Sequence, residues 1–242
     1  MSVHLHIYVV YGFKFYLVSS LSRCTVESLI FGLLKPDGHI CYCEGCTTYL
    51  GRAGFTDYNY PEDWYLFRVN VRVPPGTSLE EISNKWDLCF HGTEAPSLKS
   101  LLRLGLKIPG DKDLHGRQIS VLDGHAKETD GYDAKRIFVS PSIWYAGTDN
   151  YARPFCYKNE KSGLTYRVKV ALMVRICPGT YIASGSTIET WFTFFIVNLW
   201  RYPKQIIEWS TKQRDRVVIT GVLVRFERYQ CIGHSEGSCS IF

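Results

Sequence analysis

The chain has 242 residues, enough for one domain with appendages or for two small domains. Its 45% hydrophobic and 21% charged content is ordinary globular composition, and the 14% aromatic content fits strand-rich structure. The net charge of +5 is mild and dispersed, too weak to argue for a nucleic-acid partner, though it suits a ligand carrying phosphates.

Residues 1–36 read as one or two strands or as a leader. Val3–Leu21 is apolar, but it lacks a basic start and is interrupted by His6, Gly12 and Lys14. It is too short and too polar to span a bilayer and makes no credible secretory signal. The nine cysteines are an odd number, and a reducing setting is expected, cytoplasmic or nuclear. There, clustered cysteines point to metal more than to disulfides. Cys41, Cys43 and Cys46 on a turn supply thiolates for a tetrahedral zinc, with His39, Cys24 or Cys89 as the fourth ligand. Such a zinc would be structural; free buried cysteines are the alternative.

Over Trp64–Val73, Tyr65, Phe67, Val69, Val71 and Val73 alternate with Leu66, Arg68, Asn70 and Arg72, which predicts a half-buried strand. Pro74-Pro75-Gly76 ends it. Ser78-Leu79-Glu80-Glu81 predicts a helix start, with Ser78 or Thr77 as cap. Trp86–Phe90 reads as a strand that delivers His91 to a site. Leu98, Leu101, Leu102 and Gly105 then share one helical face. Residues 107–135 are polar and rich in Gly and Asp, a loop long enough to suggest function. Arg136–Ser140 predicts a short strand, and Ser140-Pro141 a helix start running through Tyr151.

Thr165–Ile176 is the clearest strand, closed by Cys177-Pro178-Gly179. Thr190–Trp200 is strongly apolar and reads as a buried strand or an insertion. Ile206–Thr211 and Val217–Phe226 are further strands. The second is apolar on both faces and should be central. Glu208 stands out as an acid in an apolar strand, unexpected unless it faces a site or a partner. Residues 229–242 read as a flexible tail. It ends Cys239-Ser240-Ile241-Phe242, which fits the C-a-a-X prenylation pattern with a geranylgeranyl preference. One lipid chain on Cys239 gives only reversible membrane association, and Cys231 could carry a second. There are no internal repeats, and the class is α+β.

A strand, then His91-Gly92-Thr93, then a helix ending in Gly105-Leu106 resembles the first nicotinamide-binding segment of ADP-ribosyltransferases of the poly(ADP-ribose) polymerase type. The order His91, aromatic strand and helix, then Glu208 on a late strand matches the His-Tyr-Glu plan of that superfamily. A longer resemblance covers most of residues 40–226. It runs through Tyr42-Cys43-Glu44-Gly45-Cys46, Trp64, the His91 segment, Leu106-Lys107-Ile108-Pro109-Gly110-Asp111 and Ile137-Phe138-Val139-Ser140-Pro141-Ser142. It continues through Tyr145-Ala146, Arg175-Ile176-Cys177-Pro178-Gly179-Thr180-Tyr181 and Ile207-Glu208-Trp209-Ser210-Thr211-Lys212. Together these pieces resemble the C-terminal poly(ADP-ribose) polymerase-like domain of neuralized-like protein 4 and its stand-alone relatives.

The resemblance implies split antiparallel sheets with short helices over residues 84–228, with a cysteine-bearing extension, residues 37–83, packed on them. It implies an enzyme that takes NAD⁺ as substrate and transfers ADP-ribose to a protein acceptor. His91, Tyr145 and Glu208 would carry the chemistry. His91, Gly92, Thr93, Phe138, Ser140 and Tyr151 would hold the nucleotide. The short strand carries Phe138-Val139 where active members usually place a tyrosine. The alternative is a non-catalytic recognition module acting in a ubiquitin-ligase or centrosomal assembly.

Overall fold

The computed structural model describes residues 34–35, 40–42, 59–120, 133–158, 164–185 and 207–228. The fold is mixed α+β, with antiparallel sheets and few, short helices. At its centre lie two long strands, β6 (Thr165–Ile176) and β9 (Val217–Arg228), paired antiparallel. Both are rich in Val, Ile and Leu because apolar groups cover both faces. β6 sends Val168, Val170, Leu172, Val174 and Ile176 into one core, and Ala171 and Met173 into a second core on the opposite face. The register shifts where Met173 pairs with Gly221 and Val174 with Ile219. Thr220 is the extra residue in β9, and its hydroxyl donates to the Met173 carbonyl at 3.1 Å. The bulge switches the parity of β9. Val217 and Ile219 before it, and Val222 and Val224 after it, therefore face the same core.

β2 (Trp64–Arg68) pairs with β9, and β1 (Ile40–Cys41) pairs with β2. On the other side, β3 (Asp87–Thr93) pairs with β6, and β5 (Phe155–Lys158) pairs with the start of β6. The order is β1-β2-β9-β6-β3, with β5 beside β6. β1 and β2 fall in residues 37–83, which the sequence set apart as an extension. They are instead strands of the main sheet. The alternation over Trp64–Val73 predicted a longer, half-buried strand. β2 stops at Arg68, and Trp64, Leu66 and Phe67 are all buried because the sheet has a core on each face. The leader residues 1–33, the apolar Thr190–Trp200 and the tail 229–242 with Cys231 and Cys239 lie outside the described residues.

A second sheet has the order β4-β8-β7, from β4 (Ile137–Val139), β7 (Ile182–Ser184) and β8 (Glu208–Thr211). Among the described residues its backbone pairs with the main sheet at one bridge. Phe90 and Ser140 exchange backbone hydrogen bonds of 2.7 and 2.8 Å. This junction fixes β4 and β8 relative to β3, and so sets the geometry of everything between them.

The helices are short for identifiable reasons. α1 (Leu79–Lys85) is capped by Ser78, whose hydroxyl accepts from Glu81 N at 3.0 Å. Its Ile82 packs with Trp86 and Val218. α2 (Leu98–Leu104) follows a 3-10 turn and ends at Gly105, where φ is +76°. The helix predicted from Ser140 through Tyr151 shrinks to α3 (Ile143–Ala146). Ser140 is drawn into the strand junction, so Ser142 is the cap. At the other end the Thr148 hydroxyl donates to the Tyr145 carbonyl at 3.0 Å, a local bond that competes with helix continuation. No helix among the described residues is long and apolar enough to cross a membrane.

Candidate functional site

A cavity of 630 Å³ lies between the end of β3, β4, α2, α3 and the start of β8. That volume is in the range of small-molecule sites, about 300–1,000 Å³. His91, Gly92, Thr93, Phe138, Tyr145, Tyr151 and Glu208 all line it. Residues separated by more than a hundred positions meet here because β3, β4 and β8 converge on the Phe90–Ser140 junction.

His91 lies near the end of β3, where the sequence placed it, though the strand runs on to Thr93, and it pairs with Leu172. One residue past the junction, its side chain takes over from backbone pairing. His91 Nδ1 is 2.8 Å from the Phe138 carbonyl oxygen. A carbonyl can only accept, so Nδ1 carries the proton. In a neutral ring protonated at Nδ1, Nε2 is an acceptor.

Gly92 faces the opposite side of β3. A Cβ there would lie 2.5 Å from Tyr151 Cβ and 2.8 Å from the Tyr151 carbonyl carbon, and closer still to the Ala146 carbonyl oxygen. The absence of a side chain is what lets α3 and the turn after it lie directly on β3.

Glu208 opens β8 and is 2% exposed. The hydroxyls of Tyr145 and Tyr151 each stand 3.1 Å from its Oε2, within hydrogen-bonding distance. The two hydroxyls are themselves 2.8 Å apart, with ring centroids 5.2 Å apart at 54°. A buried carboxylate must be hydrogen-bonded, and these phenols meet part of that demand. Tyr145 is 2% exposed, so its ring lies in the wall of the cavity.

The remaining expected residues divide. Thr93 lines the cavity and is 7% exposed. Phe138 contributes its carbonyl to His91. Ser140 also borders the cavity, yet its hydroxyl is engaged in the wall: it donates to the Ile207 carbonyl at 2.8 Å and accepts from Ser142 N at 3.0 Å. Its evident role is to tie β4 to the chain entering β8.

A comparison with protein-family models found no match for this chain.

Of the expected zinc ligands, His39, Cys43, Cys46 and Cys24 lie outside the described residues. Cys41 is half-buried in β1. Cys89 is overturned as its partner. β1 and β3 are at opposite ends of the sheet with β2, β9 and β6 between them. Four strand spacings separate them by about 19 Å. Cys89 is also fully buried, and burial pushes its thiol pKa well above the ordinary value. No cluster of three or more His, Cys, Asp or Glu side chains with the geometry to hold a metal occurs among the described residues.

Two parts of the site were not foreseen. The stretch expected as a long, functional loop holds a small hairpin, with a Lys112–Gln118 bridge and a turn at Asp113-Leu114-His115-Gly116. Asp at the first turn position and Gly at the fourth are the sequence signal for it. Asp113 Oδ1 accepts from His115 N and Arg117 N, and Gly116 has a φ of +77°. The hairpin covers one side of the cavity through Leu114, His115 and Arg117. Its base is clasped to the turn after β8 by Asp111 and Arg214, at 2.7 and 2.8 Å. The Arg214 guanidinium holds the Asp111 carboxyl down at a pKa of about 2.

The second is Lys169, in the apolar middle of β6 and 7% exposed. Its ammonium reaches Asp149 at 2.7 Å and the Gly147 carbonyl at 3.3 Å. Arg167 joins Asp149 and Glu227 in the same network. A buried charge in a strand requires partners, and here the partners fix the turn that carries Tyr151. Lys99, Lys107 and Arg136 add positive charge to the lining, beside the ion pairs Arg117–Asp113 and Arg153–Glu94.

Proposed function

We propose that this cavity binds NAD⁺ and that the protein transfers ADP-ribose from it to a protein acceptor, as an ADP-ribosyltransferase-like domain of the poly(ADP-ribose) polymerase type. The observation that carries the reading is the convergence of His91, Tyr145, Tyr151 and Glu208 on one cavity. Breaking the nicotinamide–ribose bond sends the bonding electrons out with nicotinamide and develops positive charge on the ribose, as in glycoside cleavage. A carboxylate aimed at that charge stabilises the transition state more than the ground state. Glu208 supplies it, and receives or relays the proton that the acceptor gives up as its bond to the ribose forms. His91 anchors a ribose hydroxyl through Nε2. The Gly92 backbone approaches the carboxamide, and the Tyr151 ring packs on the nicotinamide. The cationic lining complements the pyrophosphate.

Glu208→Gln keeps the shape of the side chain and removes its charge. It should abolish NAD⁺ consumption while the protein stays folded, and His91→Ala should weaken NAD⁺ binding. Retained turnover in the Glu208→Gln protein would refute the assignment of Glu208.

A second reading is a non-catalytic recognition module, of the neuralized-like protein 4 type, working with a ubiquitin-ligase or centrosomal partner. One observation favours it: Glu208 is only 2% exposed and two phenols share one of its oxygens. On this reading the unaltered protein neither binds nor consumes NAD⁺ at millimolar concentration.

A further inference from the structure

We infer that Tyr145 is a positioning residue: its phenol holds the Glu208 carboxylate in place independently of Tyr151. Its catalytic consequence rests on the NAD⁺ reading above; the contact itself rests on geometry alone.

The two tyrosines differ in how firmly they are held. Tyr145 is 2% exposed and sits in α3, where its N–H reaches the Ser142 hydroxyl at 3.4 Å and its carbonyl accepts from Thr148. Turning its ring away from Glu208 would need a void that a packed core does not have. Tyr151 is half-buried on the turn beyond α3 and borders the cavity. Its ring has room to meet a ligand.

Proton counting within this trio allows two orders. The three oxygens make three contacts, of 2.8, 3.1 and 3.1 Å, and the phenols bring only two protons to them. If both protons went to Oε2, the Tyr145–Tyr151 contact would hold no proton. Keeping that contact leaves one phenol donating to the other and one donating to Glu208. We take the order Tyr151 to Tyr145 to Glu208, in which the phenol that burial holds in place is the donor to the carboxylate. When Tyr151 turns its hydroxyl toward a ligand, the Tyr145 bond to Glu208 is unchanged. The carboxylate is then already oriented when the ligand arrives, and its reorientation adds nothing to the barrier.

The test is Tyr145→Phe, which removes one oxygen and keeps the ring. A hydrogen bond to a charged group is worth about 1.5–3 kcal/mol, which corresponds to roughly 10- to 150-fold in rate if it acts only in the transition state. The expected result is kcat for NAD⁺ consumption lower by that factor, with KM and NAD⁺ affinity within about threefold of the unaltered protein. Tyr151→Phe should instead move KM. A Tyr145→Phe protein with unaltered kcat, or with a loss wholly in KM, would overturn the inference. A second measurement does not depend on turnover. In a thermal-stability cycle of Tyr145→Phe and Glu208→Gln, the two changes should couple, because one removes the donor of the bond and the other removes the charge of its acceptor. Simple additivity would overturn the inference. Absence of NAD⁺ turnover in the unaltered protein would instead refute the transferase reading, and the coupling would then decide the contact.

Discussion

Gly92→Ala probes the closest approach in the site. The added methyl would lie 2.5 Å from Tyr151 Cβ and 2.8 Å from the Tyr151 carbonyl carbon, with the Ala146 carbonyl oxygen nearer still. Carbon atoms in ordinary contact stand about 3.5–4.0 Å apart, so α3 and the Tyr151 turn must retreat by about 1 Å. The obstacles are mostly backbone, and no change of rotamer relieves them. Overpacking of this kind costs typically about 1–3 kcal/mol, and backbone obstacles place Gly92→Ala at the upper end, about 3 kcal/mol. For a chain of 242 residues, that lowers Tm by about 6–12 °C. The same retreat would lengthen the 3.1 Å bond from Tyr151 to Glu208 beyond hydrogen-bonding range. Misplacement by about 1 Å costs on the order of a hundredfold in turnover. Thermal unfolding followed by circular dichroism, with NAD⁺ titration on the same sample, measures both effects. A Gly92→Ala protein with unchanged Tm and unchanged NAD⁺ affinity would refute the claim that α3 lies directly on β3.

Four further outcomes are expected. Alkylation of the native protein at pH 8 should label Cys156, which is exposed, and spare Cys89 until the protein unfolds; mass spectrometry of the digested protein reads this directly. The Asp111–Arg214 clasp should weaken at low pH. Asp111 titrates near 2 in the folded protein and near 3.9 unfolded, so its stabilisation is fully present above about pH 5 and is lost as pH falls toward 2. Hydrogen exchange at residues 108–119 should rise over that window, and Arg214→Ala should abolish the dependence with a stability cost under about 1 kcal/mol, because the pair is solvent-exposed. Lys169→Met should leave the sheet intact and remove one of the two cations that hold Asp149, loosening the turn that carries Tyr151 in the same exchange experiment at a stability cost under about 1 kcal/mol, because Asp149 keeps Arg167 and is half exposed. Ser140→Ala should destabilise by about 1–3 kcal/mol, since it leaves the Ile207 carbonyl and Ser142 N without their bonds to the hydroxyl, and it should leave NAD⁺ affinity unchanged.

The long strands were legible because their alternation is strong. Thr165–Ile176 was read with the bounds the structure shows, and Val217–Phe226 falls short of β9 by two residues. Glu208 was legible as an anomaly, an acid among Ile206, Ile207 and Trp209. What surrounds it was not legible. Tyr145 was expected to present a ring face, but its hydroxyl on Glu208 depends on the Phe90–Ser140 junction, a pairing between residues fifty apart. Periodicity carries no information on such a pairing. β1 and β2 fell in the cysteine-bearing extension because the resemblance placed the domain at residues 84–228, whereas strand neighbours in a sheet need not be neighbours in sequence. The helix from Ser140 was overestimated because a good cap and a proline mark a start, whereas the stop came from Thr148 and the glycine before it.

The central claim is that the cavity between the two sheets is an NAD⁺ site centred on Glu208. Isothermal titration of the purified protein with NAD⁺, run beside Glu208→Gln and His91→Ala, tests it most directly. The account predicts saturable binding with a stoichiometry of about one per chain, competed by nicotinamide, retained in Glu208→Gln and weakened in His91→Ala. No binding heat at millimolar NAD⁺, or equal affinity in the unaltered and His91→Ala proteins, would contradict it.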